Sequence, residues 1–156
     1  MQKPPLLPPD FPVPEPPNHP LFRFEILGPE HNEPDLDAWS SSIEHIHSTP
    51  GFRSDGWPER RYSLEENLVD LVRHRDHHSR RLDFAWTVLD PAEPDTVLGC
   101  VYLKPDPTGV AEGEARSWVR ADRADLDGEL RKHLRPWFAQ AWPIDIRYDG
   151  FPTQGP

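Results

Sequence analysis

Nine of the chain's 21 prolines fall within its first 20 residues, at positions 4, 5, 8, 9, 12, 14, 16, 17 and 20. Proline has no amide donor and a fixed φ, so this stretch can form neither a helix nor a strand ladder and must run extended or as polyproline II. Regular structure is thereby pushed into the residues that follow. Two roles are open to residues 1–20. They form a disordered tail or an arm on the surface, or they form a docking arm for an aromatic groove on a partner or a second subunit. On the docking reading, deleting residues 1–20 removes partner binding and leaves the fold intact. Residues 21–149 read as one domain and residues 150–156 as a tail.

Within that domain the pattern changes from period two to helical and back. Phe22-Arg23-Phe24-Glu25-Ile26-Leu27 alternates apolar and charged residues before Gly28-Pro29, which reads as a strand and a turn. Asp35 then caps an expected helix with Leu36, Trp39, Ile43 and Ile46 on one face, stopped by Thr49-Pro50-Gly51. Ser63-Leu64-Glu65-Glu66 is a capping box that opens a second helix, with Leu64, Leu68, Leu71 and Val72 expected inward and an end near Arg81. Phe84–Leu89 and Val97–Leu103 read as an antiparallel hairpin whose loop is longer than the tight two-residue type. Glu114–Arg120 alternates as a fourth strand. A helix from about Leu126 buries Leu130, Leu134, Trp137 and Phe138 and must kink or restart at Pro136. Ile144–Tyr148 is a fifth strand. The expected class is α+β, with a mostly antiparallel sheet of about five strands flanked by helices.

A length of 156 residues suits one ordinary domain. Mean hydropathy is low at −0.76, but six Trp and seven Phe supply large apolar side chains for a modest core. A formal charge of −10 argues against nucleic acid or an anionic membrane as the main partner, with Arg73–Arg81 the one stretch where a basic patch could survive. No long apolar run marks a leader or a span, so a cytoplasmic location is expected. Cys100 stands alone, which rules out an internal disulfide, and it reads as a small core residue without a paired base. His45 and His47, and His74, His77 and His78, fall near expected helix ends, where the dipole favours them, and no metal site is expected.

Val97-Leu98-Gly99-Cys100-Val101-Tyr102-Leu103, followed by Glu114-Ala115-Arg116-Ser117-Trp118-Val119-Arg120 and a turn into a helix, resembles the third and fourth strands and cofactor turn of the GNAT superfamily of acyl-CoA-dependent N-acetyltransferases. The resemblance spans about residues 21–149. It implies a GNAT-like fold whose fourth strand splays from the fifth and pairs with the pantetheine of acetyl-CoA along Trp118, Val119 and Arg120. It also implies a pyrophosphate site at the next helix N-terminus, where backbone N–H groups and the helix dipole suit an anion. The family's Q/R-x-x-G-x-G/A loop falls on Arg123, Leu126 and Gly128, with Asp127 between the last two. Leu126 stands where a glycine is usual: its N–H can donate, while its side chain would crowd a phosphate. Asp125 either repels the phosphate or turns back as a helix cap. The family's further helix and two strands after the fifth strand are not read here. Its usual tyrosine acid is therefore expected from elsewhere, from the arm or from a second subunit in a homodimer.

Acyl transfer to an amine needs proton removal, an oxyanion donor and alignment. Glu114, early on the fourth strand, is the expected general base, with a solvated edge glutamate as the plainer reading. The resemblance puts the oxyanion donor at an N–H near Val119. Tyr102 lines the acceptor pocket or acts as acid, or is simply a half-buried strand residue. Trp39, Trp57, Trp86 and Trp118 are candidate pocket walls. The acidic net charge suits a cationic amine among small-molecule or amino-acid-like acceptors. The alternative function is a GNAT-like module without catalysis, binding CoA or another protein.

Overall fold

The computed structural model describes residues 4–53 and 56–153. Two neighbouring interior strands carry most of the buried sheet, the first along nearly its whole length and the second from Val97 to Leu103. These are β2 (Phe84–Asp90) and β3 (Glu93–Pro105). β1 (Arg23–Ile26) lies beside β2, and β4 (Gly113–Val119) beside β3. β5 (Ile146–Tyr148) and β6 (Phe151–Pro152) complete a six-stranded sheet in sequence order. Every neighbouring pair is antiparallel except β4 and β5. This is the α+β, mostly antiparallel architecture expected.

Because β2 and β3 are apolar on both sides, both faces of the sheet must be covered. On one face α4 (Asp127–Gln140) lays Leu130, Leu134, Trp137 and Phe138 over Phe84, Trp86, Val101 and Leu103. On the other, α1 (Asn32–Ser40), α2 (Ile43–Ser48) and α3 (Leu64–Ser79) bring Leu36, Trp39, Ile46 and Leu71 against Ala85, Cys100 and Trp118.

The proline segment helps cover the first face. Leu7 is 1% exposed and belongs to the same cluster as Phe84, Trp86 and Leu103. The Leu6 N–H donates to the Arg81 carbonyl at 2.7 Å. The Arg81 guanidinium in turn donates to the carbonyls of Pro8 and Phe11. Farther along, His133 Nε2 donates to the Pro17 carbonyl at 2.8 Å. The segment forms no helix, as its prolines require, but it is not extended throughout, since a turn closes from the Phe11 N–H to the Pro8 carbonyl at 3.1 Å. Leu7 is core, so removing residues 1–20 would uncover the sheet.

Several local expectations are corrected. The helix expected from Asp35 is two, interrupted at Ser41-Ser42, where Ser41 Oγ donates to the Ala38 carbonyl and Ser42 Oγ accepts from the Ala121 N–H at 2.8 Å. Asp35 is no cap, because α1 starts at Asn32 and the Asp35 carboxylate is buried. The Ser63–Glu66 capping box forms as expected. The inward face of α3, however, is Asn67, Leu71 and His78, and Leu64, Leu68 and Val72 are exposed. Asn67 sets that rotation. Its Oδ1 accepts from Trp39 Nε1 at 3.1 Å, and its Nδ2 reaches Asp35 Oδ2 at 3.1 Å and Asn32 Oδ1 at 2.9 Å. The β2–β3 turn is the tight type, since Asp90 pairs with Glu93 across Pro91-Ala92. α4 runs through Pro136 as one helix.

A sixth strand replaces the expected start of the tail. Asp149 and Gly150 have φ of 53° and 88°, as a type I′ hairpin turn requires, and Tyr148 pairs with Phe151. Leu7→Ala is expected to cost about 3 kcal/mol of stability, because a buried side chain leaves a cavity against rigid strands. Urea unfolding of the two proteins measures this. An unchanged midpoint would return the arm to the surface.

Candidate functional site

The site is built around the C-terminal half of β4. A β-bulge at Leu98 shifts the β2–β3 register, and β3 then approaches β4 so closely that a Cβ on Gly99 would lie 2.1 Å from the Trp118 carbonyl oxygen. The Arg120 N–H donates to Leu98 O at 2.8 Å. In an antiparallel ladder this makes Trp118 a residue whose backbone bonds β3 and turns the backbone groups of Ser117 and Val119 away from it, toward β5. β5 pairs with β4 only as far as Ala115, and the last rung is Asp149 N–H to Ala115 O at 2.9 Å. Beyond it the strands part, leaving the backbone edge of Ser117 and Val119 without a partner strand.

The chain's own side chains reach into that splay. Arg131 of α4 donates from Nη2 to the Ser117 carbonyl at 3.1 Å and from Nε to Asp149 Oδ2 at 2.6 Å, and it pairs with Asp127. The other carboxylate oxygens, Oδ1 of Asp127 and Oδ1 of Asp149, are buried without a donor among the described residues. Burial, partly offset by the charge of Arg131, pushes Asp149 up to about 6. Ser117 Oγ and the Tyr148 hydroxyl share a 2.6 Å hydrogen bond beside it.

The turn from β4 into α4 is a short 3-10 stretch, Ala121–Leu126, broken at Arg123 (φ −130°, ψ 30°). Neither this stretch nor α4 has a side-chain cap, so Asp125 does not cap. Arg120 holds Asp122 at 2.6 Å, and Arg123 reaches Asp90 at 3.4 Å. Leu126 is 7% exposed and packs into the core, so its side chain does not crowd the turn. A Cβ at Gly128 would meet nothing within 4 Å, so the space beside it is open. The expected turn residues are therefore contiguous, with the Trp118 indole as the exception. It points to the opposite face, where Nε1 donates to the Tyr102 hydroxyl at 3.0 Å.

On that opposite face a cavity of about 350 Å³ lies between β3, β4, α3 and the segment after α2. Phe52, Trp57, Tyr62, His74 and Tyr102 wall it, and Arg73, Lys104 and Arg116 reach it. The Arg116 guanidinium lies 4.5 Å from the Phe52 ring centre and donates to the Gly51 carbonyl at 3.1 Å. Asp70 and Asp83 line the cavity as well, and Asp70 pairs with Arg73, so the lining carries both signs and net charge alone does not choose the acceptor. Tyr102 lines the cavity, and burial pushes its phenol well above the ordinary range. Burial does the same to the Cys100 thiol, which suits an inert core residue. Glu114 faces the same side, but its Oε2 is 3.3 Å from Arg147 and its Oε1 is 3.8 Å from Lys104, so both oxygens already face cations. Of the tryptophans proposed as walls, only Trp57 lines the cavity; Trp39, Trp86 and Trp118 are core.

Among the described residues no group of three or more His, Cys, Asp or Glu is placed to hold a metal. The basic stretch is neutralised locally. Arg73 pairs with Asp70, Arg75 with Glu30 and Arg80 with Asp76, and Arg81 holds the arm. No described helix is long and apolar enough to cross a membrane. The residues missed by sequence reasoning are Arg131 and Asp149. The Asp149-Gly150 dipeptide was the available signal, as the preferred pair for a tight hairpin.

Several solved structures that share this fold are acetyltransferases. The chain is similar to a ribosomal-protein-S5-alanine acetyltransferase from Vibrio fischeri, with 14% identity over 81% of this chain and 69% of that one, TM-score 0.61. It is similar to RimL, a ribosomal L7/L12 alpha-N-protein acetyltransferase in complex with coenzyme A, with 12% identity over 85% and 72% of the two chains, TM-score 0.64. It is also similar to an acetyltransferase from Salmonella typhimurium that modifies the N-terminal serine of L7/L12, with 10% identity, 82% and 70% coverage and TM-score 0.58. No protein-family model and no curated protein sequence matches the chain. The fold is therefore that of the GNAT acetyltransferases, shared at the level of structure.

Asp35, buried beside Asn67, supplies a test of the buried polar network. Burial raises its carboxyl to about 6, against the hydrogen bond from Asn67 and the charge of His74, from 3.8 in an open chain. The folded state therefore holds a proton that the unfolded state has released. The stability this contributes is complete below 3.8 and is lost as pH rises through about 6. Asp35→Asn keeps the shape and an acceptor for Asn67. It is expected to be more stable than wild type by about 2 kcal/mol near pH ~8 and to show no advantage near pH ~4, in urea melts at both.

Proposed function

We propose that this protein is an acyl-CoA-dependent N-acyltransferase that moves an acetyl group from acetyl-CoA to the amine of a small, amino-acid-like acceptor. The observation that carries the reading is the parting of β4 from β5 after Ala115, which turns the backbone edge of Ser117 and Val119 toward α4. A pantetheine amide can pair with such an edge as a strand would. At the far end, the uncapped start of α4, the open space at Gly128 and the withdrawn side chain of Leu126 suit a pyrophosphate, with Arg123 as the nearby cation. Asp122 and Asp127, which would oppose an anion, are held by Arg120 and Arg131.

In this reading Val119 and the turn residues Arg123, Leu126, Asp127 and Gly128 hold acetyl-CoA. Trp118 supports the strand from behind, and Arg120 ties its end to Asp122 and the Val97 carbonyl. Bound acetyl-CoA supplies the activated acyl carbon. The aromatic cavity holds the acceptor, and Tyr102 is its floor and the nearest phenolic proton donor. Glu114 orders the rim through Lys104 and Arg147. A volume of about 350 Å³ suits a group of amino-acid size, free or at the end of a chain.

A second reading, a GNAT fold without turnover, is favoured by one contact, the Arg131 guanidinium on the Ser117 carbonyl. Calorimetric titration of acetyl-CoA separates the two. Micromolar binding is expected, weakened at least about tenfold by Arg123→Glu, because a charge at a helix N-terminus is reversed. No binding at millimolar acetyl-CoA supports the second reading.

A further inference from the structure

We propose that Asp149, held by Arg131, takes the proton from the acceptor amine. This rests on the transferase reading and assigns the general base within it.

Asp149 lies where the two halves of the site meet. On the splay side its Oδ2 is fixed by Arg131 Nε at 2.6 Å, the same guanidinium that bonds the Ser117 carbonyl. Its N–H closes the last rung of the β4–β5 ladder. On the cavity side a Cβ built on Gly51 would come within 2.6 Å of Asp149 Oδ1 and 3.0 Å of Arg116 Cβ. Gly51, with φ of 92°, is followed by Phe52, and Phe52 and Arg116 are cavity walls. Gly51, which has no side chain to intrude, packs on this carboxylate and precedes the cavity wall Phe52 in the chain, while the strand edge expected to present the thioester lies on the other side of Asp149.

The state of the carboxylate is suited to the role. Its side chain is 3% exposed, one oxygen is held and the other has no donor among the described residues. A buried acceptor left unsatisfied is costly and is uncommon unless a ligand supplies the donor. An amine N–H is such a donor. Glu114, by contrast, has a cation at each oxygen.

The step balances as follows. The N–H proton of a neutral amine passes to Asp149 Oδ1 as the nitrogen bonds to the thioester carbonyl carbon. The carbon–sulfur bond then breaks, and the leaving thiolate takes that proton, so Asp149 returns to the carboxylate. The charged and titratable groups around Asp149 are Arg131, Asp127 and Arg135 from α4, Arg116 from β4 and the Tyr148 hydroxyl. With burial they put the carboxyl at about 6, so activity should rise through that pH.

The test is thiol release from acetyl-CoA against a panel of amines and amino-acid amides, with kcat/KM followed across pH. Asp149→Asn keeps the shape, and Asn tolerates the positive φ. It is expected to lower kcat at least about a hundredfold, remove the acid limb and leave acetyl-CoA affinity within about threefold of wild type. Arg131→Lys removes two hydrogen bonds while keeping a charge, and should move the limb to higher pH. If Asp149→Asn does not fold, that shift decides, and an unmoved limb overturns the assignment. A wild type that turns over, with Asp149→Asn retaining its rate and its acid limb, overturns the role of Asp149 and leaves the transferase reading standing. A wild type that neither binds acetyl-CoA nor releases thiol overturns the transferase reading itself.

Discussion

The architecture depends on a sheet whose central strands are buried on both faces. Phe84, Trp86 and Val88 alternate with Ala85, Thr87 and Leu89, and all six are buried. Such a strand cannot face water on either side, so the chain must supply two covers from a composition that is only 35% hydrophobic. It does so with large rings. Trp86, Trp137 and Trp142 meet edge to face under α4, and Trp39 meets Tyr62 in the same way on the other side. The first cover remains incomplete without Leu7 and Phe22. An arm that reads as polar punctuation thus carries part of the core.

Periodicity made most of the elements legible, and tertiary polar contacts limited what it could decide. The order of the strands, the capping box at Ser63 and the buried stripe of α4 follow from local pattern. The rotation of α3 does not. By hydrophobicity Leu64, Leu68 and Val72 should be inside, but the Trp39 indole N–H and the Asp35 carboxylate need a partner, which Asn67 provides while it also bonds Asn32. A buried indole N–H and a buried carboxylate without partners would cost more than three part-exposed aliphatic side chains. The break at Ser41-Ser42 has a similar origin, since Ser42 is committed to the Ala121 amide far away in sequence.

The candidate site divides in the same way. The strand–turn–helix junction that carries Arg123, Leu126, Asp127 and Gly128 is legible because it is local. Asp125 has the side chain of a cap, but α4 begins uncapped while Asp127 turns to Arg131. Glu114 lies on the strand where it was expected, but its neighbours are set by register. Pairing with Lys104 on one strand and Arg147 on another puts two cations on it, and no spacing in the sequence reveals that. The cavity draws its walls from Phe52, Tyr62, His74 and Tyr102, four residues on three separate segments. Bulk charge therefore predicts little about its lining.

Arg131 gives the splay its character. Where β4 leaves β5, the Ser117 carbonyl loses the donor that a longer β5 would offer, and a buried carbonyl without a donor is costly. A guanidinium meets that need while its charge is balanced by Asp127 and Asp149. Asp127 and Asp149 share that one guanidinium, and one oxygen of each is buried without a donor among the described residues. The same device that lets the fold close without a ligand therefore leaves a demand for a proton or an N–H donor at the place where β4, β5 and the Gly51 segment converge. A pantetheine amide entering this edge would meet a charge-assisted hydrogen bond on Ser117, worth about 1.5–3 kcal/mol. Binding along Val119 and the α4 N-terminus, beside Arg131, does not require that bond to break, and it would keep Asp149 oriented while the acceptor approaches from the cavity.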